Sequence, residues 1–178
     1  METEAYGYSD DPASHAFKNI TNRNKAMFGD IGKIYVYFIY GNHYCFNIVS
    51  KNNESKAGAV LIRSIQPLEG INLMRIFRKT DNITDLTSGP GKLTQAFNIK
   101  KKHNELDITD DKNDFLYLED NQDERRLNRF KVIGTKRIGI SSALEKKWRF
   151  IMLNAMKSKI NEMEEDNYYP NPFLSKRS

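Results

Sequence analysis

The chain has little of what marks several large functional classes. A single cysteine, Cys45, in 178 residues rules out an internal disulfide and fits a reducing cytoplasm. The three histidines, His15, His43 and His103, share no CxxC- or HExxH-type spacing with one another or with Cys45, so a metal site has no support. Neither GxGxxG nor GxxxxGK[ST] occurs, and a nucleotide cofactor has no support either. No apolar run approaches the ~20 residues of a membrane span. No basic region followed by an apolar stretch opens the chain as a secretory signal would.

What is present describes one soluble domain. Apolar residues make up 39% and charged residues 29%, enough for a core and far from a disordered composition. Lys and Arg number 28 against 23 Asp and Glu, a net charge of +5 that is compatible with nucleic acid without requiring it. Aromatics reach 11%, nine of them tyrosine, which suits either core packing or stacking on nucleobases.

Residues 2–6 (ETEAY) read as a short strand, ended by a turn-rich stretch at 7–12. Residues 13–28 read as helical or mixed, with His15 near the start and Arg23 and Lys25 on the surface. Residues 34–49 give the clearest β signal, apolar on both faces and broken at Gly41-Asn42, which predicts a hairpin of central strands. Two registers are open. A two-residue loop pairs Tyr37 with Phe46 and turns Asn47 to the other face. A three-residue loop closing at His43 pairs Tyr37 with Asn47 and builds a polar-aromatic wall.

Residues 57–63 predict a buried strand ending in Arg63. Pro67 suits a first helical turn, and Leu68, Ile71, Met74 and Phe77 carry that helix to about Lys79. Residues 88–92 (SGPGK) start a second helix with Leu93, Ala96 and Phe97 facing inward. Further strands are expected at 115–118, 137–140 and 149–153. No βαβα alternation occurs, so the fold class is α+β.

Glu4 and Tyr6 share a strand face, which sets a carboxylate beside an aromatic ring. Such a pair could serve as general base and stacking surface, or be a solvated strand carboxylate. Arg63 is a natural partner for Glu4, with a structural ion pair as the plainer alternative. Residues 88–92 could hold a phosphate through helix amides and Lys92, or simply begin a helix. Cys45, inside an apolar strand, reads as a buried, inert thiol. A glycosidase acting on free sugars needs two carboxylates flanking the bond, and no second one is evident.

Ordered short motifs carry a resemblance: ETEAY at 2–6, ASH at 13–15, MF at 27–28, YVYFIYG at 35–41, Asn47, LIR at 61–63, PLEG at 67–70 and SGP at 88–90. Together they resemble the alkyladenine DNA glycosylase family, the monofunctional 3-methyladenine glycosylases of base excision repair. The likeness is strong over residues 1–97 and weaker through RIGI at 137–140 and Arg149-Phe150. It implies a single α+β domain over 1–156 with a curved, mostly antiparallel sheet and flanking helices. It further implies that an N-terminal piece of the family domain would be missing from that span and that a charged, loose tail would cover 157–178. It implies no metal and no cofactor, a monomer, no membrane, and double-stranded DNA containing damaged bases as the partner. The place of action would be the cytoplasm, on the nucleoid through DNA, or the nucleus in a eukaryote.

Carried onto this sequence, the resemblance makes Glu4 the general base that activates water, with Arg63 and the Ile140 carbonyl holding that water. Tyr6 and Tyr37 would sandwich the flipped base, His15 would contact it or its backbone, and Asn47 would sit at the rim. Tyr40 would wedge into the duplex, and Arg23 and Lys92 would hold phosphates. One departure is LNAMK at 153–157, where relatives carry a Gly-Asn-Pro turn and an aromatic. The alternative is a non-catalytic protein that binds nucleic acid at damaged DNA.

Overall fold

The computed structural model describes residues 1–39, 41–118 and 130–154. Among them six strands form one sheet: β1 (Glu2–Tyr6), β2 (Ile34–Ile39), β3 (His43–Val49), β4 (Ala59–Ser64), β5 (Phe130–Thr135) and β6 (Arg149–Asn154). Their spatial order is β2-β3-β4-β1-β6-β5, and every neighbouring pair is antiparallel. The first strand of the chain therefore lies inside the sheet, hydrogen-bonded to β4 on one side and β6 on the other. Two helices, α1 (Ile71–Arg78) and α2 (Pro90–Ala96), complete the α+β fold. Helix α2 packs on β3 and β4, and α1 packs on α2.

The hairpin departs from both expected registers. Ile39 pairs with His43, Tyr37 with Cys45, and Tyr35 with Asn47. Strand faces repeat every two residues, so Tyr35, Tyr37, Cys45 and Asn47 still share one face and the polar-aromatic wall forms. Nor is the hairpin central, because β2 ends the sheet. Its apolarity on both faces has a different cause. Ile34 and Val36 pack with Phe46, Leu93, Ile99 and Ile108, while Tyr35 packs with Ala16, Met27, Val49 and Ala59. The open edge is closed by the segment near Asn104. The Val36 N–H donates to Asn104 Oδ1 at 2.8 Å and the Ile34 N–H to the Leu106 carbonyl at 2.8 Å. An exposed edge would otherwise template pairing with another chain.

Other expectations are corrected. Helix α1 starts at Ile71 because Gly70 takes a left-handed φ of 68°, which leaves Leu68 outside the helix and exposed. Residues 115–118 form no strand. The Asn113 side chain accepts from the Phe115 N–H at 3.1 Å and donates to the Leu116 carbonyl at 3.0 Å, an Asx-type loop. Residues 137–140 form a loop rather than a strand, with Gly139 at φ 75°. Strand β5, just before that loop, was not anticipated. The expected tail at 157–178 lies outside the described residues.

Candidate active site

Strand β1 carries two carboxylates into the sheet interior. Glu4 is fully buried and Glu2 nearly so, which is sustainable only if both are paired. The Tyr6 hydroxyl donates to Glu4 Oε2 at 2.8 Å, and the Ile138 N–H donates to Oε1 at 2.8 Å. Arg63 Nη1 lies 3.3 Å from Oε2. Glu2 Oε1 accepts from the Nε of Arg63 and the Nε of Arg149, each at 2.6 Å. Arg63 thus serves both carboxylates. It sits where the β1–β4 register slips, between the Thr3–Ile62 and Glu2–Ser64 pairs, and such a bulge re-aims a side chain. Burial would raise the Glu2 carboxyl. The hydrogen bond from Arg149 and the charges of Arg63 and Arg149 outweigh it and hold the group below the usual carboxylate range.

Tyr6 also lines a cavity of about 140 Å³. His15, Tyr35, Tyr37 and Asn47 share its wall, and Gly139 and Ile140 reach it from the loop after β5. His15 Nδ1 and the Tyr35 hydroxyl are 2.9 Å apart, and the His15 ring meets Tyr37 edge-on at 4.7 Å. Asn47 is buried, its Nδ2 donating to the Tyr35 carbonyl at 2.9 Å. Burial pushes the Tyr35 hydroxyl up to about 12 and raises Tyr37 and Tyr6 further, so all three stay neutral phenols. Desolvation and the nearby Arg23 charge lower His15, which is therefore neutral at pH 7. Burial raises the Cys45 thiol, in keeping with an inert side chain.

A compact aromatic cavity backed by a buried, oriented carboxylate suits chemistry on a flat ring. The sequence profile described as Methylpurine-DNA glycosylase (MPG) matches residues 1–156. The chain belongs to the methylpurine-DNA glycosylase family. It is similar to proteins named "Putative 3-methyladenine DNA glycosylase" from several bacteria. That of Francisella tularensis subsp. tularensis (strain WY96-3418) is 44% identical over 150 residues, covering 84% of this chain and 75% of its own length. That of Prosthecochloris aestuarii is 45% identical over 149 residues, covering 84% and 68%. That of Carboxydothermus hydrogenoformans is 41% identical over 154 residues, covering 86% and 77%. Membership places this glycosylase in DNA repair, with DNA as its substrate polymer.

Four of the residues named from sequence, Tyr6, His15, Tyr37 and Asn47, line the glycosylase cavity together. Glu4 connects to it through the Tyr6 hydroxyl, and Arg63 reaches it only by way of Glu4. Asn47 is part of the buried wall rather than an exposed rim. The Arg23 guanidinium lies 5.4 Å from the centre of the Tyr37 ring. Lys92 is away from the cavity lining, on α2, ion-paired with Asp85. Tyr40 lies outside the described residues. Among the described residues no group of His, Cys, Asp or Glu is arranged to hold a metal.

Sequence reasoning missed several groups. Tyr35 went unassigned although it belongs to the same tyrosine run as Tyr37. The Ile138 N–H is a backbone donor, with no side-chain signature to find. Asp11 and Arg137 form a buried pair from opposite ends of the domain, and no local pattern links them.

Proposed function

We propose that this glycosylase turns an alkylated purine, 3-methyladenine or a related base, out of double-stranded DNA into the tyrosine-lined cavity. There it hydrolyses the N-glycosidic bond with water activated by Glu4. The observation that carries this reading is the orientation of Glu4, held by the Tyr6 hydroxyl, the Ile138 N–H and Arg63 beside a wall of that cavity.

Extruding a base costs a few kcal/mol, least at damaged pairs. An N-alkylated purine is cationic, and the faces of Tyr6 and Tyr37 would attract it by roughly 1–2 kcal/mol once desolvated. A cationic base is already a good leaving group. As its bond to C1′ breaks, the electron pair goes to the base and neutralises it. The sugar becomes oxocarbenium-like, and water adds to C1′ while Glu4 takes its proton. Arg63 and the Ile140 carbonyl would hold that water, and the product is an abasic site in an uncut strand. The Asn47 amide would disfavour the bulky exocyclic amino group of guanine. Arg23 and Lys92 would meet phosphates, and Tyr40 would fill the gap in the duplex. The protein would act as a monomer wherever the cell keeps its DNA.

The test is release of 3-methyladenine from methylated duplex DNA, with the backbone checked for breaks. Glu4→Gln should still bind but lose on the order of 10²–10⁴-fold in rate. Equal rates for the two proteins would remove Glu4 from its role. Wild-type protein that binds the lesion and releases nothing would point to a damage-binding protein instead.

A further inference from the structure

A second buried charge pair lies next to Glu4 and has no part in the reaction just described. The Asp11 and Arg137 side chains are both 0% exposed. Asp11 Oδ2 accepts from Arg137 Nη1, and Oδ1 from Nη2, at 2.7 Å each. Asp11 also accepts from the Gly7 N–H at 2.9 Å and the Ala13 N–H at 3.3 Å, and Ala13 lines the cavity. Arg137 Nη1 donates to the Ala5 carbonyl at 2.9 Å. Its guanidinium lies 4.7 Å from the Tyr6 ring centre and 5.3 Å from that of Trp148. One residue further on is the Ile138 N–H that holds Glu4, and then come Gly139 and Ile140 of the cavity wall.

We propose that Asp11 and Arg137 are positioning residues: their pair clamps the loop at 136–140 to the end of β1, keeping the Ile138 amide and the Tyr6 hydroxyl aimed at Glu4. This rests on the reading of Glu4 as general base. Stability is a weak reason for such a pair, because dehydrating two charges costs about as much as their attraction returns. Among the described residues, Arg137 Nε has no hydrogen-bond partner, so the site does not even satisfy the guanidinium fully. What the pair does supply is geometry. The loop at 136–140 lies beyond the ladder of β5, and a planar guanidinium fork can fix it simultaneously to Ala5, Asp11 and the Tyr6 ring. A lysine has one nitrogen and cannot reproduce the set.

The test compares single-turnover excision from methylated duplex DNA with affinity for a duplex carrying an abasic-site analogue. For folded Arg137→Lys we expect a rate roughly 10²-fold lower and an affinity within about threefold of wild type, the signature of misplaced rather than missing groups. The double variant Asp11→Leu/Arg137→Met should keep a cooperative thermal transition, because packed apolar pairs commonly replace buried ion pairs. It should remain slow. Asp11→Asn, which preserves volume, should be slow as well, and it decides the matter if Arg137→Lys does not fold. Wild-type rates in Arg137→Lys or Asp11→Asn would overturn the clamp. So would recovery of rate in the apolar double variant, since the pair would then serve only stability. Failure of the underlying reading looks different: Glu4→Gln would excise at the wild-type rate, whereas a failed clamp leaves Glu4→Gln inactive.

Discussion

Glu2, Glu4, Arg63 and Arg149 occupy the interior of the sheet, while Asp85, Arg78 and Lys92 form a charge cluster around the two helices. In both clusters a carboxylate is shared between two cations: Glu2 by Arg63 and Arg149, Asp85 by Arg78 and Lys92. They differ in what water can do for them. The interior side chains are at most 15% exposed, whereas Asp85 and Lys92 keep about a third of theirs, at 32% and 36%. Inside, each charge depends on its partner, because the alternative is an unpaired ion in a poor solvent. Outside, water can stand in for a partner that leaves Asp85 or Lys92, though not Arg78, whose side chain is 11% exposed, so Lys92 is free to exchange Asp85 for something else. The interior cluster fixes geometry, and the outer one can rearrange.

The largest effect should come from Glu2→Ala. It leaves Arg63 and Arg149 facing each other without a carboxylate between them, and Arg149 Nη2 already lacks a hydrogen-bond partner. Breaking a buried pair in this way costs about 3–5 kcal/mol, measurable by urea unfolding. A loss below ~1 kcal/mol, the range of exposed pairs, would erase the distinction between the two clusters.

Acid titration sharpens it next. Glu2 and Asp11 are both held below the ordinary carboxylate range, their cationic partners outweighing burial. In the folded state they bind protons later than in the unfolded state, so their contribution is fully present above the unfolded pKa, about 4. It is lost as the pH falls through their lower folded values. Stability should therefore decline below pH ~4, and Glu2→Gln and Asp11→Asn should each flatten that decline. A curve of unchanged shape in both variants would deny the linkage.

Tyr6→Phe keeps the ring and removes only the hydroxyl on Glu4 Oε2. A buried acceptor that loses a donor costs about 1–3 kcal/mol. Excision should slow while lesion affinity holds, because the stacking face remains. A loss of affinity with an unchanged rate would mean that Tyr6 serves only as a wall.

The same contrast explains what could be read in the sequence. Strands β1, β4 and β6 announce themselves through β-branched and aromatic residues. Tyr35 and Tyr37 share a face by strand parity, but Asn47 joins them only because the observed pairing is displaced by an even number of positions from the three-residue register; the two-residue register would have turned it away. Strand β5 did not announce itself: among the described residues it is the last strand of the sheet, with Phe130 and Val132 exposed, so burial leaves no clear pattern. Tyr6, His15, Tyr37 and Asn47 were legible because short motifs carry them. Arg137 was not, because its partner lies 126 residues away and only the folded sheet brings them together. The role of Glu2 was hidden for a related reason. A strand glutamate normally meets solvent, and only the β1–β6 pairing brings Arg149 to it.

The smallest stability effect is expected at Lys92, where the function of the outer cluster can be decided. Lys92→Ala should change stability by no more than ~1 kcal/mol, as exposed pairs generally do. If Lys92 trades Asp85 for a DNA phosphate, the same substitution lowers affinity for duplex DNA and removes about one unit from the slope of log affinity against log salt. Asp85→Ala then provides the opposing arm. It frees Lys92 from its competitor and should strengthen duplex binding at low salt, with Arg78 still tied to the Leu86 carbonyl at 3.1 Å and to Gln95 at 2.5 Å. Equal salt slopes for wild type and Lys92→Ala, with no gain from Asp85→Ala, would make this cluster a helix-to-helix tie with no part in holding DNA.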